Sequence, residues 1–388
     1  MGEVTSAGLN PAVLERLRAV FDEWILAGRI PGAVLLIERR GVVGFFESLG
    51  HQDPARGLAM RRGSIFRIYS MTKPIVSVAL MMLVEQGRLL LRDPVAKYLP
   101  EFANARVGVE RDGGLELVAP RKPMTVHDLL RHTAGLTYEF HSPSAVRRLY
   151  IEASLHSRER SCAEQIAALA ALPLMHEPGT VWDYSRATDV LGRLIEVITG
   201  AGLGEHLQRA IFAPLGMTDT GFAVPAAHHG RIAEPFGMPP NADAAAPVFD
   251  ARAPAALQGG GGGLMSTASD YARFLRMLLG GGTLDGVRLL GRKTVEFVTA
   301  DHLGPLPRAG DVLPPGHGFG LGVAVKTALG EHTEPGSIGS YGWSGAAGTA
   351  FFVDPRESMF AILMVQAPAL LDDVRELFRQ MVYAAIDD

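Results

Sequence analysis

Residues Ile68 to Val76 read IYSMTKPIV and carry the most informative pattern in the chain. This pattern places Ser70 three positions before Lys73, and this is the only Ser-x-x-Lys in the chain. Of the 37 Lys and Arg residues, five are lysines. Because arginine keeps its proton at working pH and a buried lysine can lose it, arginine would not serve in place of Lys73 if this residue is a base. The apolar run that follows predicts a helix, buried on most faces, that ends near Gln86.

The spacing of Ser70 and Lys73 suits nucleophilic catalysis. Residues three apart on a helix share one face, with Cβ atoms about 5–6 Å apart. A serine becomes a strong nucleophile when a base takes its proton, and the helix N-terminus favours a developing oxyanion beside it. A lysine base needs a pKa of roughly 7–8, and both burial and the helix N-terminus lower it. Taken alone the motif is a weak signal, because Ser-x-x-Lys is common by chance.

Two later segments supply what such a serine needs. Residues 177–185 read EPGTVWDYS and place Tyr184 near a helix start, where its hydroxyl can relay a proton between the serine and a leaving group. Residues 341–349 read YGWSGAAGT, a glycine-rich edge strand that lets a substrate approach the backbone closely. The backbone N–H groups of Ser70 and Ala346 would then form an oxyanion hole.

Predicted strands lie near both ends of the chain around a helical middle. The patterns indicate strands at 32–38, 42–47, 319–325, 350–353 and 359–365. They also indicate a first helix from Pro11 and a last helix over 369–386. This arrangement predicts one antiparallel sheet built from both ends. The segment 220–263 is rich in Pro, Ala and Gly and predicts a long ordered loop.

In this order and spacing, Ser70-Met71-Thr72-Lys73, Tyr184-Ser185 and Trp343-Ser344-Gly345 resemble a known group of serine hydrolases. The group is that of the class C β-lactamases and DD-peptidases, and most of all the family VIII carboxylesterases and their acyltransferase relatives. The resemblance covers nearly the whole chain. The supporting segments are 94–102, 127–136, 214–217 and 262–267.

The resemblance implies an α/β fold of the α+β type, β-lactamase/transpeptidase-like, with an antiparallel sheet flanked by helices plus a mostly helical domain. Residues 1–60 with 290–388 would form the α/β domain and residues 61–289 the helical one, with the active site in the cleft between them. Ser70 would be the acylated nucleophile, and Lys73 and Tyr184 the base/acid pair.

Two departures from the β-lactamase pattern favour esters over lactams. Arg186 stands where β-lactamases carry the asparagine that holds a lactam side chain. Trp343 stands where they carry the lysine that attracts a substrate carboxylate. Replacing a cation by an indole weakens binding of anions and suits neutral substrates. The residues expected to contact substrate are Trp343, Ser344, Gly345 and Arg186.

Composition limits the alternatives. A net charge of −4 without a basic run argues against nucleic-acid binding. Cys162 is the only cysteine, so neither a disulfide nor a cysteine metal site is expected, and no cofactor or metal is implied. The sequence shows neither a membrane-spanning nor a leader pattern. We therefore expect a cytoplasmic, bacterial enzyme without membrane association. The triplet at 326–328, Lys-Thr-Ala, is expected on the surface. Oligomeric state is not readable.

These features predict a serine carboxylesterase that hydrolyses neutral, short-chain esters through an acyl-enzyme on Ser70. An acyltransferase of the same architecture stays open, because the sequence does not distinguish water from an alcohol as acceptor. A β-lactamase, D-amino-acid peptidase or amidase is disfavoured by Arg186 and Trp343, and a non-enzymatic relative by the retention of the three catalytic residues. The acyl length depends on the walls at 220–260 and 138–140, and the natural substrate and residual β-lactamase activity stay open.

Overall fold

The computed structural model describes residues 7–111, 114–236, 248–367 and 371–388. Its helices are α1 (Pro11–Leu26), α2 (Thr72–Glu85), α3 (Val126–Leu130), α4 (Ala145–Glu152), α5 (Cys162–Ala170), α6 (Ala187–Thr199), α7 (Leu203–Leu207), α8 (Ala213–Leu215), α9 (Ala268–Leu279), α10 (Arg292–Val298) and α11 (Leu371–Ala384). A turn of π-helix, Gln208–Phe212, joins α7 to α8.

The strands are β1 (Gly32–Arg39), β2 (Val42–Asp53), β3 (Leu58–Ala59), β4 (Phe66–Arg67), β5 (Val107–Arg111), β6 (Gly114–Val118), β7 (Met265–Ser266), β8 (Thr283–Leu284), β9 (Val287–Arg288), β10 (His317–Phe319), β11 (Ala324–Lys326), β12 (Tyr341–Ser344), β13 (Ala350–Asp354) and β14 (Met359–Met364). Eight form one antiparallel sheet in the order β10-β11-β12-β13-β14-β1-β2-β3. The chain's two ends therefore meet where β1 pairs with β14.

Strand β1 separates two hydrophobic cores. Its side chains alternate between the faces of the sheet. Val34 and Leu36 belong to a large core that includes α2, α6 and α9. Leu35 and Ile37 belong to a smaller core with α1 and α11. Because both faces are covered, every residue of β1 is buried, and its residues 33–37 form a continuous apolar run instead of an alternating one.

Local signals set several helix starts. The Asn10 side chain accepts hydrogen bonds from the N–H groups of Ala12 and Val13, and Pro11 begins α1. Reciprocal capping boxes start α3 at Thr125 and α5 at Ser161. The fold of an antiparallel sheet with helices, predicted from the sequence, is confirmed. The division into two domains at 61 and 289 stays a prediction.

One predicted strand is wrong. The segment 319–325 does not form a single strand: it contains the end of β10, a turn and the start of β11. Gly322, at φ +98°, lies in this turn, in a backbone conformation that other residues rarely adopt. Of the predicted last helix, positions 369–370 lie outside the described residues, as do 237–247 of the expected loop. Among the described helices, none has the length and apolar character needed to cross a bilayer.

Candidate active site

Ser70 lies in a tight turn between two packed elements. A 3₁₀ turn, Tyr69–Met71, precedes α2 directly, and Tyr69 has φ +43°, a left-handed conformation that is costly for a bulky residue. The turn is tied to the segment before α9, because the Ile68 N–H donates to Leu264 O at 3.0 Å. The Tyr271 hydroxyl donates to Met71 O at 2.9 Å. These bonds hold the serine at the start of the helix.

Lys73 is fully buried behind Ser70. Its ammonium donates to Ser70 Oγ at 3.2 Å, to the Tyr138 hydroxyl at 3.1 Å and to Gly261 O at 2.6 Å. The three partners use all three donors of an ammonium. The first partner follows from the Ser-x-x-Lys spacing. The sequence analysis placed Tyr138 in a wall of the substrate site and Gly261 in a loop. It missed the contact of both with Lys73, because neither residue carries a spacing signal that identifies it as a partner.

The pKa of Lys73 is raised above its ordinary value. Burial acts in the opposite direction, as expected from the sequence, because it penalises the charged form. The hydroxyls of Tyr138 and Tyr184 and the carboxylate of Asp189 outweigh it. The net shift is opposite to what a lysine base requires, so the geometry favours an ammonium at this position.

Tyr184 completes a chain of hydrogen bonds through Ser70. Its hydroxyl donates to Ser70 Oγ at 2.7 Å, and its oxygen accepts from the Trp343 Nε1–H at 3.2 Å. The Lys73 ammonium lies 4.6 Å from the centre of the Tyr184 ring. The tyrosine side chain thus lies close to a cation and its oxygen accepts from a neutral donor, and both stabilise negative charge on the phenol.

Buried polar groups hold the segment that carries Tyr184. The Asp183 carboxylate, itself buried, contacts Arg147 at 3.1 Å, His176 at 3.0 Å and His141 at 3.3 Å. The Ser185 N–H donates to His132 Nδ1 at 3.2 Å, and the His132 ring packs 5.0 Å from the Tyr184 ring. This support fixes the tyrosine before α6 begins at Ala187.

Strand β12 forms the opposite side of the site. The expected edge position of this strand is wrong, because β12 pairs with β11 on one side and β13 on the other. Gly345 follows β12 and packs against the backbone before Ser70, because a Cβ there would lie 2.4 Å from Ile68 O. Among the backbone hydrogen bonds of the described residues, none uses the N–H of Ser70 or of Ala346. Both N–H groups are therefore available to an incoming oxygen, as an oxyanion hole requires.

Arg186 lines the cleft but is already paired. Its guanidinium donates to both oxygens of Glu139, at 3.1 and 2.6 Å, and lies 3.6 Å from Asp189. Asp189 in turn accepts from the Gly261 N–H at 2.8 Å. The contacts tie together the two segments that supply Tyr138 and the Gly261 carbonyl. Substrate binding by Arg186 stays a prediction, and its partners indicate a supporting role.

A cleft of about 1440 Å³ brings the predicted site residues together. Ser70, Tyr184, Arg186 and the segment from Trp343 to Ala346 line it, whereas Lys73 lies behind its wall. The expected surface position of Lys326 is wrong: it is buried in β11 and donates to Glu334 O at 2.8 Å. Within the described ranges, no cluster of His, Cys, Asp and Glu has a metal-binding arrangement.

A family model described as Beta-lactamase matches residues 13–386, nearly the whole chain. The chain belongs to the Beta-lactamase family. Esterase EstB of Burkholderia gladioli is 32% identical over 93% of this chain and 94% of its own length. The lovastatin esterase of Penicillium rubens is 28% identical over 94% and 96%.

A solved structure described as EstCE1, a hydrolase with promiscuous acyltransferase activity, superposes with a TM-score of 0.80. It is 26% identical and covers 97% of this chain and 98% of its own. The resemblance inferred from the three motifs is confirmed at the level of the family. Together these relatives support a hydrolase with esterase or acyltransferase activity on the β-lactamase fold.

Proposed function

We propose that the protein is a family VIII-type serine carboxylesterase that hydrolyses neutral, short-chain esters through an acyl-enzyme on Ser70. The observation that carries the proposal is the hydrogen-bonded chain from Lys73 through Ser70 and Tyr184 to Trp343. It places a serine between a buried cation and a tyrosine, with an indole at the substrate side of that tyrosine.

In acylation, Ser70 Oγ attacks the ester carbonyl carbon. The serine proton passes to the Tyr184 oxygen while the tyrosine's own proton passes to the leaving alkoxide. One proton therefore moves from the serine to the alcohol as the C–O bond breaks. The tyrosine proton moves ahead of the serine proton, so the Tyr184 oxygen carries partial negative charge in the transition state, and the Lys73 ammonium and the Trp343 N–H stabilise that charge. This assignment uses the raised pKa of Lys73, because an ammonium stabilises charge and does not accept a proton.

Deacylation repeats the relay with water in place of the serine. The water oxygen attacks the acyl carbon while Tyr184 takes a proton from the water. The tyrosine's own proton returns to Ser70 Oγ as the acyl bond breaks. In both steps the carbonyl oxygen becomes an oxyanion between the N–H groups of Ser70 and Ala346. A pair of backbone donors already in place needs no reorganisation at the moment of reaction.

The preference for neutral esters rests on Trp343. Its indole lies 5.2 Å from the ring of Tyr184 and 5.2 Å from that of Phe319, so the place of a β-lactamase's cation is aromatic. An anionic substrate would lose hydration there without gaining a counter-charge from this residue.

The test is release of nitrophenol from nitrophenyl acetate, butyrate and octanoate, with a chromogenic cephalosporin alongside. Wild type should turn over the esters far faster than the cephalosporin, and Ser70→Ala should abolish turnover. Ser77→Ala is the matched control: it removes a buried serine hydroxyl on α2 that has no partner in the described structure, and activity should persist. A mass increase of one acyl group on wild type, absent from Ser70→Ala, would identify the intermediate.

Nitrophenol release by Ser70→Ala at the wild-type rate would remove Ser70 as nucleophile. Dominant cephalosporin cleavage would overturn the reading of Trp343 and Arg186.

An acyltransferase is the second candidate, and the open volume of the cleft favours it. A site of about 1440 Å³ has room for an acyl group and an acceptor alcohol together. Adding increasing concentrations of a primary alcohol to the nitrophenyl butyrate assay distinguishes the two. Formation of the alkyl butyrate in preference to butyrate at low alcohol concentration would indicate acyl transfer as the main activity.

A further inference from the structure

Arg375 projects from α11 into the active-site cleft. Its Nη2 donates to the carbonyl oxygen of Gly345, and its side chain is 17% exposed. The nearest carboxylate, Asp372, lies 3.7 Å away on an almost fully exposed side chain, a weak and well-solvated contact. The buried Nε has no hydrogen-bond partner in the described part of the chain. The positive charge of this guanidinium is therefore directed chiefly at one peptide carbonyl.

Burial lowers the pKa of Arg375 to about 10, against smaller upward contributions from neighbouring acidic groups and Tyr184. The guanidinium therefore still carries its charge at neutral pH. Desolvation makes its hydrogen bond to Gly345 O electrostatically stronger than a similar bond in water.

The Gly345 carbonyl and the Ala346 N–H belong to the same peptide group. Because a trans peptide is planar, its C=O and N–H point in opposite directions. A cation on the carbonyl end therefore leaves the N–H end facing away from the arginine. The peptide before it is also held, since the Gly345 N–H donates to Thr349 O at 2.8 Å. Arg375 thus contacts the far side of the peptide whose N–H faces the reacting oxygen in the proposed function.

We propose that Arg375 is a positioning residue that orients and polarises the Gly345–Ala346 peptide. The inference rests on the proposed esterase function and deepens it. A charge-assisted bond to the carbonyl draws electron density away from the N–H and strengthens it as a donor to the oxyanion. It also fixes the peptide plane, so that the donor does not rotate away when the acyl group leaves.

A different use of Arg375 would be binding of a substrate carboxylate. That use requires free donors exposed to the substrate, whereas Nη2 already serves Gly345 O and the unpartnered Nε is buried. The two uses predict different kinetics. Polarising the donor changes the turnover of neutral and anionic esters alike, whereas carboxylate binding changes that of the anionic ester alone.

The experiment compares Arg375→Gln and Arg375→Lys with Arg379→Gln as the matched control. Arg379 lies one turn further along α11 and is also cationic, but it contacts Pro335 O and Ser340 Oγ, not Gly345. For nitrophenyl butyrate, Arg375→Gln should lower kcat about tenfold, less than loss of an oxyanion donor itself, with KM within about twofold. Arg375→Lys should recover part of the loss, and Arg379→Gln should change kcat by less than about twofold.

A second readout separates positioning from a merely structural role. Butylboronic acid adds to the active serine and places a boronate oxygen in the oxyanion hole. Its inhibition constant should rise in Arg375→Gln by the same factor by which kcat falls, with the melting temperature recorded for each variant. If Arg375→Gln unfolds, Arg375→Lys, which keeps the charge but not the planar fork, decides by the same two measurements.

Unchanged kcat and boronate affinity in a folded Arg375→Gln would overturn the inference. So would a lower kcat with unchanged boronate affinity, or a raised KM confined to the anionic ester nitrophenyl hydrogen glutarate. Absence of Ser70-dependent ester turnover in wild type is a distinct result, which overturns the proposed function and this inference with it.

Discussion

The two sides of the cleft are built from different kinds of groups. The helical wall (Tyr69–Lys73 with Tyr138 and Tyr184) consists of side chains, and those that react are hydrogen-bonded to one another. The strand wall (Tyr341–Ala346) presents mostly backbone, and Trp343 is its one side chain in the hydrogen-bonded chain. The helical wall therefore depends on residue identity, and the strand wall depends on space and on contacts supplied from elsewhere.

This difference decides what a substitution does on each side. Removing a hydroxyl or ammonium from the helical wall deletes a chemical group and leaves the backbone in place. On the strand wall, adding a single carbon displaces the backbone donors, because Gly345 lies directly against Ile68. The following expected outcomes test that contrast, from the largest effect to the smallest.

Lys73→Met should reduce ester turnover most, by about 10³-fold, the upper end of the range for losing a preorganised electrostatic stabiliser. Methionine fills a similar buried volume without charge, so the fold should persist. The measurement is kcat for nitrophenyl butyrate together with the melting temperature. Lys293→Met, at a side chain that is 79% exposed, is the control and should behave as wild type. Retention of a tenth of wild-type activity in Lys73→Met would show that the helical wall does not need the ammonium.

Gly345→Ala should reduce turnover about 10²-fold, as expected when an oxyanion donor is displaced. The new Cβ would lie 2.4 Å from Ile68 O and 2.3 Å from Thr349 Oγ1, so the strand must move away from Ser70. Gly230→Ala is the control, because its Cβ would meet no atom within 4 Å. Steady-state kinetics and boronate inhibition measure the effect. Wild-type kinetics in Gly345→Ala would contradict a strand wall that depends on space.

Tyr138→Phe should lower kcat about tenfold, because it leaves one donor of the buried Lys73 ammonium without an acceptor. Tyr138 contributes to raising the pKa of Lys73, so its removal should move that pKa downward. Any loss of activity on the alkaline side should therefore begin at a lower pH than in wild type. A pH–kcat profile of both proteins measures this, and an alkaline limb moved to higher pH would contradict the assignment.

Trp343→Phe should lower kcat about fivefold, the value of one neutral hydrogen bond, since the ring is kept and the N–H to the Tyr184 oxygen is lost. The same assay with nitrophenyl acetate and butyrate measures it, and both esters should be affected equally. A loss confined to the longer acyl chain would assign Trp343 to substrate packing in place of support for Tyr184. Trp24→Phe, outside the cleft on α1, is the control.

Acid should weaken the protein through two buried histidines, of which His132 packs against Tyr184 of the helical wall. Burial lowers the pKa of His127 to about 4 and that of His132 well below its usual value. The unfolded chain therefore takes up protons near pH 6.5 that the folded protein refuses, so the free energy of unfolding falls as pH drops from about 6.5 toward 4.

Urea unfolding of wild type and His127→Asn at pH 7, 6 and 5 measures the slope of the unfolding free energy against pH. This slope should be shallower in the variant. His51→Asn, at an exposed position, is the control and should keep the wild-type slope. An equal slope in wild type and His127→Asn would show that His127 does not contribute to the acid response.

Much of the helical wall was predictable, because its first contact is local. Three residues of spacing on a helix bring Lys73 to Ser70 whatever the rest of the chain does. Tyr184, 114 positions from Ser70, was identified through its motif and the family resemblance, not through distance along the chain. The contacts of Tyr138 and of the Gly261 carbonyl with Lys73 were missed, because a single tyrosine and a backbone oxygen have no periodicity or spacing to mark them.

The strand wall was predictable as a motif but not as an arrangement. Trp343 and Gly345 stand out in the sequence, but the cation opposite the Gly345 carbonyl does not, because Arg375 looks like any basic residue on an amphipathic helix. The mistaken strand at 319–325 has a related cause. Its apolar pattern continues through a turn, and the glycines that mark this turn were not used in the prediction. Lys326 was predicted on the surface because the sequence does not show its hydrogen-bond partner, the backbone oxygen of Glu334.

By itself the sequence determined the family, the antiparallel sheet made from both ends, and the adjacency of serine and lysine, because each depends on short-range spacing or on a set of motifs. The direction in which the pKa of Lys73 is shifted depends on the tertiary structure. The pKa of a buried lysine depends on which hydroxyls and carboxylates surround it, and those come from segments far apart in the chain. The same holds for the Ala346 donor, whose strength is set by the groups that fold against its peptide.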